Sequence, residues 1–108
     1  MLSLSTFSWR MHLSVMSDQW RRGRCQRLWE EQRGLCFYCG TAMAAPVSQR
    51  LRHRKRPDAA TIDHVVPQSQ GGATEWPNEV AACRTCNAAK ANNAPTADDL
   101  RRLQVLKL

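Results

Sequence analysis

Two Cys-x-x-Cys pairs, Cys36/Cys39 and Cys83/Cys86, are the residues whose type and spacing most clearly point to chemistry. Four thiolates from two such knuckles can surround one tetrahedral Zn²⁺, with Zn–S bonds of about 2.3 Å. The pairs are further apart than in the commonest compact zinc modules, so the stretch between them must hold a structural insert. A redox role for either pair is the alternative, but two copies without alternating strands and helices fit it poorly. A structural zinc is the expectation. Cys25, the fifth cysteine, falls on an apolar helical face and reads as a small buried hydrophobe. The insert carries Asp63 beside His64, then Asn78 after Pro77, and Asn87 follows the last cysteine directly. Taken singly, these read as a satisfied polar pair, a turn residue and a capping amide. Framed by four cysteines, they become a candidate site.

The elements that must position these residues follow from local pattern. Ser17 or Asp18 can cap a helix, Cys25, Leu28 and Trp29 share one face, and Gly34 supplies a stop, which predicts a helix over 18–32. Its other faces carry Arg21, Arg22, Arg24 and Arg27, either a solvated surface or a phosphate-contacting one. TIDHVVP ending at Pro67 reads as a strand. QSQGGATEWPN reads as a loop, and Glu79–Ala82 as a second short strand. CRTCNAAKANN is helix-compatible up to Pro95, and Thr96 with Asp99 resembles a capping box opening a last helix with Leu100, Leu103 and Leu106 inside. Trp20 and Trp29, with Trp9, read as core, and Trp76 as loop packing. Because consecutive strand residues face opposite sides, Asp63 and His64 can meet at one site only near a bulge or a strand end.

A chain of 108 residues has room for one core, which excludes a multidomain enzyme. Hydrophobic residues at 43% and charged residues at 23% exclude wholesale disorder. We assign residues 1–16, Ser-rich and weakly patterned, to a flexible arm, and residues 17–108 to a single domain. The net charge of +7 favours a polyanionic partner. Arg50, Arg52, Arg54, Lys55 and Arg56 form a dense basic loop; with Lys90 they are candidate DNA contacts, while a merely solvated charge run is the plainer reading. Contacts of that kind position nucleic acid without reading its sequence. No apolar run reaches the roughly 18–20 residues of a membrane helix, and no secretion signal is legible, so a reducing cytoplasm is expected.

TIDHVVPQSQGG, then WPNEV, then ACRTCNAAK, with CFYCG upstream, resembles the zinc-knuckle branch of the HNH endonucleases over residues 36–93. The resemblance implies an α+β fold: a small zinc-stapled ββα-metal domain, here with flanking N- and C-terminal helices. It also implies that His64 is the general base deprotonating water for attack on a DNA phosphodiester, and that Asp63 binds the catalytic metal. Asn78 would steady the hairpin loop and orient His64. Asn87 stands where many members carry a last histidine, making this an H-N-N variant. Oxygen ligands from Asp63 and Asn87 point to Mg²⁺ or Mn²⁺. A base and a cation together address the two barriers of phosphodiester hydrolysis, a weak nucleophile and charge building on the phosphoryl and leaving oxygens. An imidazole with an ordinary pKa near 6.5 suits the base if its second nitrogen is held, by Asn78 or by a backbone carbonyl. A single site of this type cuts one strand per event, which implies nicking, or double-strand cutting through a homodimer or two sequential nicks. Similarity to short phage-type members implies a terminase or packaging partner. The rivals are a non-catalytic zinc ribbon or degenerate HNH domain that binds nucleic acid, and a nuclease acting on RNA.

Overall fold

The structure, a computed structural model, describes residues 20–46 and 56–108. The N-terminal arm, the proposed Ser17/Asp18 cap, Trp9 and the basic residues Arg50, Arg52, Arg54 and Lys55 lie outside the described residues. Helix α1, described over 20–31, ends where Arg33 and Gly34 adopt positive φ (56° and 76°) and the Gly34 amide donates to the Trp29 carbonyl at 2.8 Å. A side chain at Gly34 would meet the Trp29 indole at 2.9 Å, so the stop and the packing of Trp29 require the same glycine.

β1 (Ala60–His64) and β2 (Glu79–Cys83) pair antiparallel, with Asp63 opposite Val80 and His64 opposite Glu79. Two short 3₁₀ turns, Gln68–Gln70 and Trp76–Asn78, shape the loop between them. α2 (Arg84–Lys90) leaves β2 without a linker, and α3 (Ala97–Leu106) closes the chain. The expected α+β architecture with its strand–loop–strand–helix core and flanking helices is present.

A two-stranded sheet cannot bury a core alone, so helices cover it. Cys25 and Leu28 of α1 pack with Cys36, Met43, Ala60 and Ala81 in one cluster. Phe37, Val65 and Val80 form a second, which Leu103 and Leu106 of α3 adjoin. Cys25 is buried as expected, and burial pushes its thiol up to about 11. Two expectations are corrected. Trp20 is 62% exposed, because the core face of α1 is fully occupied by the Cys25–Leu28–Trp29 stripe; Leu100 is 41% exposed, because α3 turns only Leu103 and Leu106 onto the sheet. β2 is buried along its whole length, its outer edge covered by Gln32. The Gln32 side-chain amide donates to the Ala81 carbonyl at 2.8 Å and accepts from the Ala81 amide at 2.7 Å.

Candidate active site and metal centre

The sulfur cluster is built by two tight turns. Cys36–Cys39 closes through Gly40, at φ 73°, whose amide donates to the Cys36 carbonyl at 2.9 Å; Cys83 is the last residue of β2 and caps α2. The ligand atoms of Cys36, Cys39, Cys83 and Cys86 all lie within 4.8 Å of one another, and Cys39 and Cys83 approach to 3.9 Å. Tetrahedral thiolate coordination calls for sulfur–sulfur separations of about 3.8 Å. Backbone amides point at two sulfurs: Cys83 N donates to Cys36 Sγ at 3.3 Å and Cys86 N to Cys83 Sγ at 3.4 Å. Hydrogen bonding with Thr41 holds the Cys39 thiol down to about 6. Burial raises Cys83 and Cys86, a cost that a cation among the sulfurs would offset. The four-cysteine cluster fits Zn²⁺.

His64 closes β1, the strand end needed if both Asp63 and His64 are to serve one site. Their side chains leave opposite faces. Asp63 is buried; its Oδ2 accepts from the Tyr38 hydroxyl and lies 3.2 Å from Lys90 Nζ, which also donates to the His64 carbonyl at 2.9 Å. Burial, reinforced by the Asp63 carboxylate, raises the Tyr38 hydroxyl well above its ordinary value and keeps it a donor. Lys90 therefore occupies the carboxylate pocket, with its ammonium 5.9 Å from the Tyr38 ring centre, and is not a solvated lysine. His64 faces the other way, its Nε2 3.3 Å from Glu79 Oε2, and Glu79 in turn accepts from the Arg24 guanidinium of α1. That nitrogen is buried without a well-formed hydrogen bond. Burial lowers the His64 pKa, aided by Arg24 and Lys90 and opposed by Asp63, which favours the neutral ring.

Asn78 spends its side chain on the loop. Its Oδ1 accepts from the Val66 amide at 2.9 Å, and its Nδ2 donates to the carbonyls of Val66 and Ala73 at 3.0 and 2.9 Å. Gly72 is part of the same closure: a side chain there would lie 1.7 Å from the Val66 carbonyl oxygen. Asn78 thus fixes the chain leaving His64, whereas the group beside the imidazole is Glu79. On α2, Asn87 donates to Thr61 Oγ1 at 2.8 Å, leaning back onto β1. Asp63, His64 and Asn87, with Gln68 and Ser69, line one open cleft of about 460 Å³. A second cleft of about 500 Å³ has His64 on one wall and Arg21, Arg22 and Arg24 on another.

The family model for HNH endonucleases matches residues 36–93, more than half of the chain. The chain belongs to the HNH endonuclease family. No curated protein matches it. Membership implies a hydrolase acting on nucleic acids, and the HNH segment spans all the residues just described except those of α1. Among the described residues, no helix is long and apolar enough to cross a membrane. Of the basic residues, Arg56 is described and pairs with Asp58 at 2.9 Å. Glu79, Arg24 and Tyr38 carry no signal as isolated residues. The cross-strand register gives the first of them, because two five-residue strands meeting at the loop set His64 opposite Glu79.

Proposed function

We propose that the protein is a divalent-metal-dependent endonuclease that hydrolyses DNA phosphodiester bonds with His64 as general base. Asp63, His64 and Asn87 border one cleft at the end of β1, although the Asp63 and His64 side chains leave opposite faces of the strand, and this shared border carries the reading. With Nε2 turned to the Glu79 carboxylate, Nδ1 is the ring nitrogen left to take a proton from water. The water oxygen bonds to phosphorus as the P–O3′ bond breaks, and the departing 3′ oxygen takes a proton from solvent, leaving 5′-phosphate and 3′-hydroxyl ends. Glu79, 3.3 Å from Nε2, favours the imidazolium that forms, a carboxylate's service to a catalytic histidine. Mg²⁺ or Mn²⁺, held by the oxygens of Asp63 and Asn87, would supply neutralisation of charge on the phosphate and leaving oxygen. Tyr38 and Lys90 hold Asp63 by Oδ2 and leave Oδ1 available. Arg21 and Arg22, beside His64, are suited to the strand's phosphates, whereas Lys90 and Arg56 are held by Asp63 and Asp58. α1, the hairpin and α3 share adjoining clusters, which supports one folding unit for residues 17–108. Four cysteines gathered as metal ligands, with Cys25 buried in the core, suit a reducing cytoplasm.

Relaxation of supercoiled plasmid, with and without Mg²⁺ or Mn²⁺, tests this directly. Nicking should require the metal and fall by about 10²–10⁴-fold in His64→Ala, the usual contribution of a general base. The pairing of Asp63 with Lys90 favours one rival, a degenerate HNH domain that binds nucleic acid without cutting it. DNA retained in a shift assay with no nicking by the unmodified protein would establish that rival.

A further inference from the structure

Trp20 and Trp76 are the largest side chains left in solvent among the described residues, 62% and 50% exposed. Tryptophan buries more apolar area than almost any other residue, so two of them half in water on one face need a reason. They belong to the same groove. Trp20, Arg24, Arg27, Thr74, Glu75 and Trp76 line most of a cleft of about 340 Å³, in the size range of small-molecule sites. Arg24, Thr74 and Glu79 line both this groove and the arginine cleft of His64, so the two adjoin. Cations already attend both rings: the Arg27 guanidinium lies 5.8 Å from the Trp20 ring centre and Lys107 Nζ lies 4.4 Å from that of Trp76.

We propose that the Trp20–Trp76 groove binds an unpaired nucleobase of the strand whose phosphate lies at His64, so that the enzyme prefers DNA with single-stranded nucleotides beside the cut. The proposal rests on the nuclease reading for its substrate. Aromatic faces interleaved with cations along a backbone track are how single strands are held without sequence preference. A base inside a duplex has both faces covered by its neighbours, so within a strand it is an unstacked, unpaired one that can present a face to an indole. Arg24 is taken up in neutralising Glu79, so Arg27, with Arg21 and Arg22 of the adjoining cleft, supplies the positive charge that a phosphodiester needs nearby, and the Glu75 carboxylate can accept from an exocyclic amino group.

Binding by the full chain carrying His64→Ala, measured by anisotropy with a labelled oligothymidylate and with a blunt duplex of equal length, tests the groove separately from cleavage. Adding Trp76→Ala should weaken oligothymidylate binding by about 5- to 100-fold, the usual contribution of one stacked base, and duplex binding by less than about twofold. Trp76→Phe keeps a stacking face but loses the indole N–H that donates to Glu31 at 3.1 Å, and it should retain most of the affinity. Trp20→Ala, on an exposed helix position, should act in the same direction with unchanged melting. Equal losses on single strand and duplex, or Trp76→Phe behaving like Trp76→Ala, would make Trp76 a strut between α1 and α3 and overturn the proposal. So would failure of the parent chain to bind oligothymidylate. Retained stacking with no plasmid nicking would instead sink the nuclease reading alone.

Discussion

Glu79 lies between Arg24 and His64, with one carboxylate oxygen serving both. Replacing it with glutamine keeps its volume and removes the charge that favours the imidazolium. Glu79→Gln should therefore lower kcat by about tenfold or more, the scale of losing roughly 1.4 kcal/mol of transition-state stabilisation, and leave KM for DNA unchanged. A fall confined to KM would place Glu79 in substrate binding and not behind the imidazole. At this scale the motif residues were legible because each is a rare type at a fixed offset: four cysteines, Asp63 with His64, Asn78 and Asn87. Their partners were not. Whether Asn78 or another group stands against the imidazole depends on where a neutral amide finds its hydrogen bonds, and here the turn backbone at Val66 and Ala73 takes them all. Arg24 is one of several arginines on α1, and only the docking of that helix selects it.

Helix ends were the most legible of the elements, because capping is settled within four residues. Thr96 Oγ1 accepts from the Asp99 amide and Asp99 Oδ2 accepts from the Thr96 amide, both at 3.0 Å, completing the expected capping box. Thr96→Ala should cost about 1 kcal/mol of stability, read as a lower melting temperature. Burial opposes ionisation of Asp99, but the hydrogen bonds from Thr96 and the nearby Arg102 outweigh it and hold the carboxyl below its ordinary 3.8. A carboxyl depressed by folding stabilises the folded state above its unfolded pKa, and that contribution disappears as pH falls through the lowered value. Acid titration of melting should show a loss below about pH 4 that Asp99→Asn removes; an unchanged acid limb in that variant would exclude the capping box as its source. The sides of helices were less legible than their ends. Trp20 and Leu100 have the composition of core residues, and their exposure was decided by how much sheet there is to cover.

For the whole molecule, the sulfur cluster is the proposed staple. Cys36–Cys39 precedes the hairpin, Cys83–Cys86 ends it, and the next residue, Asn87, lines the cleft, so the orientation of α2 links the two sites. Chelation of zinc, or Cys83→Ser, should abolish cooperative melting, with zinc content and the thermal transition measured together, because binding free energy at such a site is folding free energy. A zinc-free chain that melts as before would remove the metal from the fold. Fold class followed from the resemblance over residues 36–93, but the covering of β2 did not: Gln32 from the end of α1 caps the buried edge at Ala81, and Arg24 neutralises Glu79. Both lie upstream of the segment that matches the family, residues 36–93. That segment is therefore a poor candidate for transplantation. Grafted alone into another protein, it would carry the motif intact and still lack a guanidinium for its buried carboxylate and a lid for its inner strand, so the unit that can be moved is wider than the unit that can be recognised.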